Sequence, residues 1–338
     1  MVRGDKVVDS LAVTPQALRA QASPKTYVLN ATPQTVHVAH FRSDLKPVLT
    51  VNSGDSVVVQ TFRWDPAQYE AYGIAPECIP QEFRDLYKEL KEYKGHELTG
   101  PIYINGAEPG DMLEVRILDV KITTPFGFNC NLLGYGTLPE EFQYNAYRVL
   151  PIDFTKMTSE ILPGVVVPLK PFFGVMAVSP PASMGKVSSI SPGIYGGNLD
   201  NKELVAGTKL YLPVHVKGAL FSAGDGHAVQ GDGEVNISAL ETSLTGTFQF
   251  IVHKNKRIVW PRAETPTHFI TMGLDTDLNV AGKNAVREML EYLREEKGIN
   301  KENGYMLSSL AVDLHVTQTV DGVKGIHAML PKSIFVQR

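Results

Sequence analysis

A chain of 338 residues with 43% hydrophobic and 20% charged residues has the composition of a folded globular protein, long enough for one large or two ordinary domains. Its formal net charge of −4 gives no reason to expect nucleic acid or an anionic membrane as a partner. No apolar run approaches the roughly 18–20 residues that cross a bilayer. The opening Met1-Val2-Arg3-Gly4-Asp5-Lys6 leads into no signal-peptide core, and two cysteines, Cys78 and Cys130, make neither a disulfide framework nor a Cys-rich metal site. A reduced, cytoplasmic setting is the expectation, with both thiols packed or partly buried.

The 29 glycines and 22 prolines are spread along the chain, which favours many short strands joined by turns. In chain order, Val36-His37-Val38-Ala39-His40-Phe41 alternates like a strand. Histidines three apart on a strand face opposite sides, so only one of His37 and His40 is expected to reach a common site. Ser53-Gly54-Asp55 is a turn followed by the alternating Ser56-Val57-Val58-Val59. Residues 81–94 carry Phe83, Leu86, Leu90 and Tyr93 at helical spacing, an amphipathic helix within an insertion near 64–93. Glu108 stands in Gly106-Ala107-Glu108-Pro109-Gly110-Asp111, a tight turn that opens a strand over 111–117. Residues 123–138 and 180–201 are rich in Gly, Pro and Asn and read as long loops of the kind that line pockets. The second contains Gly196-Gly197-Asn198-Leu199-Asp200-Asn201, an Asx-turn or a place where a ligand meets backbone, an amide and a carboxylate.

Two more turn-then-strand patterns begin at Ala206-Gly207 and Thr245-Gly246, and His215 is read as a strand histidine. Residues 276–297 form the strongest helix, with Leu278, Ala281, Ala285, Met289, Leu290 and Leu293 in a stripe and Gly298 placed to end it. Residues 304–320 start helical and run into the alternating Val312, Leu314 and Val316. These elements predict a mainly β protein, with a sandwich- or barrel-like core and a smaller α+β C-terminal region. The expected segments are a β-rich 1–150 with its helical insertion, a β-rich 151–260, and an α+β 261–338.

The densest chemistry lies in Gly224-Asp225-Gly226-His227-Ala228-Val229-Gln230-Gly231-Asp232-Gly233-Glu234. Three carboxylates and an imidazole form a ligand set for a divalent metal and equally a set for acid–base work. Its glycines read as sharp turns of a loop at the mouth of a β-structure. The spacing matches neither a helical zinc motif nor an EF-hand. Gly-x-Ser-x-Gly and phosphate-cradling glycine patterns are missing, so activated water fits better than covalent serine chemistry. His268, His315 and His327 carry no specific signal.

Several segments, in order along nearly the whole chain, resemble the acetamidase/formamidase family. They are Leu98-Thr99-Gly100-Pro101-Ile102-Tyr103, residues 106–111, Gly196-Gly197-Asn198-Leu199-Asp200-Asn201-Lys202, Leu212-Pro213-Val214-His215, residues 224–234, Glu264-Thr265-Pro266-Thr267-His268 and residues 323–332. The resemblance implies a homo-oligomeric hydrolase that cleaves short aliphatic amides, formamide or acetamide, with a divalent metal, zinc before others. On that reading Asp225 and His227 bind the metal with His37 or His40. Glu234 is a ligand or the general base, and Glu108 the other candidate base. Asn198 and Asp200 orient the amide. The chain departs from the family pattern at His40-Phe41-Arg42-Ser43-Asp44, where a Trp and an acidic stretch are usual, and in the length of the 64–93 insertion, which leaves open a larger or different linear C–N substrate. A metal-stabilised protein without hydrolysis is the reading from another functional class.

Overall fold

The computed structural model describes residues 23–90 and 95–336. Two nine-stranded sheets carry the molecule. The first runs in the order Thr26–Leu29, Ser56–Thr61, Leu244–His253, Met112–Ile122, Lys209–Pro213, Arg262–Glu264, His268–Asp275, Lys324–Pro331 and Asp313–Gln318. It therefore takes strands from all three expected segments. The second runs Gly196–Asn198, Phe172–Ala177, Phe221–Val229, Leu240–Glu241, Phe126–Asn131 and Ala146–Pro151. Strand Glu97–Asn105 also pairs with Phe221–Val229, and is itself flanked by Val36–Val38 and Leu49–Asn52. One apolar core joins the sheets: Val57, Val59, Val115, Ile117, Phe248 and Phe250 of the first meet Leu98, Ile102, Phe173, Val175, Phe221 and Ala223 of the second. The protein is mainly β, with helices at the C-terminal end of the chain.

The strand predictions follow from alternation, and most turn glycines sit where expected. Gly54, Gly110 and Gly207 have φ of 101°, 94° and 88°, left-handed turns that open their strands. Gly246 differs. It lies inside the Leu244–His253 strand, where a Cβ would come within 2.5 Å of the Phe173 ring. The expected loop over 123–138 contains a strand, Phe126–Asn131, whose Phe126, Phe128 and Cys130 point inward. Alternation was present there, masked by the surrounding Gly and Asn. Cys130 is buried, and burial pushes its thiol up to about 12. Cys78 is exposed, not packed.

The long C-terminal helix spans Leu278–Lys297, capped by Asp277, which accepts from the Asn279 and Val280 backbone, and ended by Gly298 in the left-handed region. Ala281, Ala285, Met289 and Leu293 are buried against the strands His268–Asp275 and Lys324–Pro331. Contact is close because Gly273 offers no side chain: a Cβ there would lie 2.0 Å from the Ala281 carbonyl. A second helix, Lys301–Ala311, leads into the edge strand Asp313–Gln318. No helix among the described residues is long and apolar enough to cross a membrane.

The 64–93 insertion folds as Pro66–Ala71, a 3-10 turn Pro76–Cys78 and the helix Gln81–Glu89. Tyr93, the last residue of the predicted stripe, lies outside the described residues. The rest of the stripe is covered by its own chain: Phe83 and Leu86, with Leu90 partly buried beside them, pack with Phe62, Tyr69, Ile79, Tyr87, Phe126 and Phe128. Phe83 stacks on Phe62 at 4.5 Å between centroids and 5° between planes. Replacing a fully buried Phe by Ala costs about 3–5 kcal/mol. We therefore expect Phe83→Ala to lower the unfolding free energy measured in urea by about 3–5 kcal/mol; an unchanged unfolding curve would show that the insertion does not stabilise the core it covers.

Candidate active site

Asp225 and His227 lie two apart on the strand Phe221–Val229 and so share one face. The segment expected to turn as a loop is a buried strand through Val229. Its glycines are needed for close strand approach: a Cβ at Gly224 would lie 2.2 Å from the Glu97 carbonyl, and one at Gly226 2.4 Å from the Thr242 carbonyl. The strand is irregular here. Asp225 has φ of 57°, and the pairing register shifts between His227 and Val229. Asp200 and Glu234 also sit at positive φ, both 45°. Left-handed backbone is costly for residues with a Cβ and collects at functional sites.

His227 Nε2 lies 3.2 Å from Asp225 Oδ2, 3.4 Å from Glu241 Oε1 and 3.9 Å from Asp200 Oδ1. Glu241 arrives by strand pairing, directly opposite His227. The other ring nitrogen, Nδ1, is 2.9 Å from Gln230 Oε1. Gln230 is oriented because its Nε2 donates to the Asp200 carbonyl at 2.8 Å. An amide oxygen only accepts, so Nδ1 carries a proton, and in the neutral ring Nε2 presents a lone pair to the carboxylates. This second-ring hydrogen bond is the arrangement that orients a metal-ligating histidine.

Behind the acids stands Arg63, at the end of the strand Ser56–Thr61 that leads into the insertion. Its Nε is 2.9 Å from Asp225 Oδ1 and 3.0 Å from Glu241 Oε2, and its Nη1 is 3.5 Å from Glu97 Oε2. Tyr69 of the insertion donates to the Arg63 carbonyl at 3.2 Å, and Tyr87 bonds Glu97. His96 Nε2 is 3.7 Å from Asp225 Oδ2, with its Nδ1 on Ser189 Oγ at 3.1 Å.

The cluster is buried and carries more carboxylates than its cations neutralise. Burial raises the Asp225 carboxyl, but His96, Arg63 and His227 outweigh it and hold it well below the usual range. Asp200 is pushed well above that range by burial and by Glu234, Asp321 and Asp225. Glu234 is raised by burial and then by Asp321. Burial pushes Asp321 up to about 7, with the neighbouring Asp200 acting in the opposite direction. Burial depresses the His227 imidazole, yet Glu241 and Asp225 take it to about 10.

These residues fit a divalent cation. Donor atoms of Asp225, His227 and Glu241, and likewise of Asp200, His227 and Glu234, lie within 4.8 Å of one another. Both Asp200 oxygens and His227 Nε2 are buried with no hydrogen-bond partner among the described residues. Such groups cost free energy unless a cation or proton satisfies them. The floor of the site is Gly174, on the strand Phe172–Ala177. A Cβ there would stand 2.5 Å from Asp200 Oδ1, 2.6 Å from Asp225 Oδ2 and 2.8 Å from His227 Cε1. Gly174→Ala should therefore displace donors while the fold survives. A misplacement of about 1 Å costs on the order of 10²-fold in rate, so kcat/KM is expected to fall by about that factor with unchanged circular dichroism. Full activity in this variant would move the reacting centre away from Gly174.

Of the residues singled out from sequence, the structure gathers Asp200, Asp225, His227 and Glu234. Asn198, two residues before Asp200, is buried with its Oδ1 unpaired among the described residues. Three others are placed elsewhere. Glu108 is on a surface turn with Lys217 Nζ 3.7 Å away, because that turn closes strand Glu97–Asn105 at the far end from Glu97. His37 packs its Nε2 on Ser222 Oγ at 2.9 Å and its Nδ1 on the His40 carbonyl at 3.1 Å, and burial lowers it to about 4. His40 lies on a two-residue strand paired with Ser188. Neither histidine belongs to a donor group among the described residues. The second histidine that approaches Asp225, beside His227, is His96. Sequence reading missed it together with Arg63, Glu97, Glu241 and Asp321. His96-Glu97 directly precedes the motif Leu98-Thr99-Gly100-Pro101, which was the available signal.

The sequence model of the Acetamidase/Formamidase family matches residues 28–191 and 182–337. A formamidase of Methylophilus methylotrophus is 26% identical, covering 83% of this chain and 84% of its own. An acetamidase of Mycolicibacterium smegmatis is also 26% identical, covering 79% and 83%. Among solved structures, an acetamidase from Bacillus halodurans matches with a TM-score of 0.77 at 31% identity over 91% of this chain and 98% of its own. An acetamidase from Yersinia enterocolitica matches with a TM-score of 0.81 at 28% identity over 95% and 96%. The chain thus belongs to the acetamidase/formamidase family and is a hydrolase of amide C–N bonds.

Proposed function

We propose that this protein hydrolyses short aliphatic amides, formamide or acetamide, to the carboxylate and ammonia with a divalent cation, zinc before others, held by Asp225, His227, Asp200 and Glu241. The observation that carries the reading is His227: one nitrogen is locked by Gln230, and the other has no hydrogen-bond partner among the described residues and faces the carboxylates of Asp225, Glu241 and Asp200. The relatives named formamidase and acetamidase support the substrate class. When bound, such a cation supplies Lewis acidity and brings the pKa of its water near 7.

The protein's own groups do the rest. Arg63 fixes Asp225 and Glu241 through its Nε, so two carboxylates keep their orientation without a substrate. Glu234 carries the proton from the attacking water to the departing nitrogen. Burial and Asp321 raise its proton affinity, which suits a carboxylate that must both accept and donate near neutrality. Asn198 Oδ1, buried and without a hydrogen-bond partner among the described residues, accepts an N–H of the substrate amide and turns its carbonyl toward the donors. The T-shaped contact of Phe172 with His227, 5.0 Å between ring centroids, and the crowding at Gly174, where even a Cβ would meet Asp200, Asp225 and His227, favour a small acyl group.

The test is ammonia release over a series from formamide to longer amides and urea-like compounds, with native and chelator-treated protein, alongside metal quantification. Loss of activity on chelation and recovery with zinc are expected, with rates falling as the acyl chain lengthens. Undiminished hydrolysis by protein shown to be metal-free would exclude the metal reading. A preference for long or urea-like substrates would exclude the short-amide assignment.

A further inference from the structure

The geometry points to a second cation site, separate from the donors around His227, formed by Asp232, His315 and His327 and suited to zinc. Donor atoms of these three residues lie within 4.8 Å of one another, and none belongs to the donor groups around His227. His315 and His327 are direct partners across the antiparallel strands Asp313–Gln318 and Lys324–Pro331. Their rings stack at 5.1 Å and 14°. His327 is fully buried at 0% exposure. Its Nδ1 bonds Thr317 Oγ1 at 2.8 Å, and its Nε2 has no hydrogen-bond partner among the described residues. A satisfied surface network does not explain a buried imidazole with one nitrogen unmet. Asp232 Oδ2 lies 3.1 Å from His315 Nδ1 and 2.9 Å from Lys202 Nζ.

Two imidazoles and a carboxylate are a three-ligand set for zinc, with a fourth position for water. Closing the donors to bonding distance requires movement of His315, whose side chain is 35% exposed. Lys202 is the competing cation. It neutralises Asp232, and its side chain, 32% exposed, is free to swing outward. The site has a structural consequence. Asp232 belongs to the segment that carries Glu234, and Gly233 of that segment already exchanges backbone hydrogen bonds with Thr317 and Thr319, both at 3.1 Å. An ion on Asp232, His315 and His327 would clasp the Glu234 segment to the C-terminal hairpin.

The test counts zinc, so it stands whether or not the donors around His227 hold a metal. Full-length protein is stripped with chelator, dialysed against zinc alone and quantified, as wild type, His315→Ala, Asp232→Asn and Lys202→Ala. The wild type should hold one more zinc per chain than His315→Ala and Asp232→Asn, and zinc should raise its Tm more than theirs. Because His315 is partly exposed, its replacement is expected to fold, which near-ultraviolet circular dichroism checks. Lys202→Ala keeps all three donors and removes the competing charge, worth about fivefold or more at this range, so it should bind zinc tighter by at least that factor. Equal zinc content in wild type, His315→Ala and Asp232→Asn overturns the site. So does weaker zinc binding in Lys202→Ala.

Discussion

His227→Ala is expected to lower kcat/KM for formamide or acetamide by about 10³-fold or more, because a catalytic metal contributes several kcal/mol and each 1.36 kcal/mol is tenfold. Every geometric feature of the site converges on this ring. It faces Asp225, Glu241 and Asp200, it is oriented by Gln230, and its edge is packed by Phe172. Alanine removes the only imidazole in both donor groups around the site and leaves three buried carboxylates to repel one another. Bound metal should fall together with the rate. A variant that keeps full metal content and full activity would take His227 out of the site altogether.

Glu234→Gln should leave metal content and fold in place while lowering kcat by about 10²–10⁴-fold, the usual contribution of a positioned acid–base group. Glutamine keeps the shape but carries no titratable proton. Glu108→Gln serves as the contrast. Glu108 faces solvent near Lys217, so its amide should alter kcat by less than about threefold, the residual effect of a surface charge. If Glu108→Gln lost activity and Glu234→Gln kept it, the roles proposed for the two carboxylates would be reversed.

Much of the fold was legible because strands and helices announce themselves locally. The stripe from Leu278 to Leu293 with Gly298 at its end has one physical solution, and the turn glycines Gly54, Gly110 and Gly207 open strands as their alternation demands. The centre of the site was legible because Asp225, His227 and Glu234 are crowded into one short segment. Two kinds of information were not local. Glycine has two uses, turning and close packing, and the sequence around Gly224 and Gly226 does not separate them. Only the neighbouring Glu97 and Thr242 carbonyls do. Arg63, His96, Glu241 and Asp321 lie on four separate stretches of chain, each an unremarkable single residue in its own surroundings, and only the folded sheets bring them together. Glu108 and His37 show the converse. Their motifs are conspicuous, but a turn and a strand face carry them away from the cluster.

The sheet order bears on when a newly made chain becomes an enzyme. The first sheet joins strands near residue 26, residue 250 and residue 330, and the site spans Arg63 to Asp321. Contacts so distant in sequence form slowly and late. No fragment ending before the strand Asp313–Gln318 contains Asp321, so the carboxylates at the centre lack a member until that stretch has been made. Activity should therefore require the residues past 313, and truncation before residue 313 should give an inert product even where the upstream strands are folded.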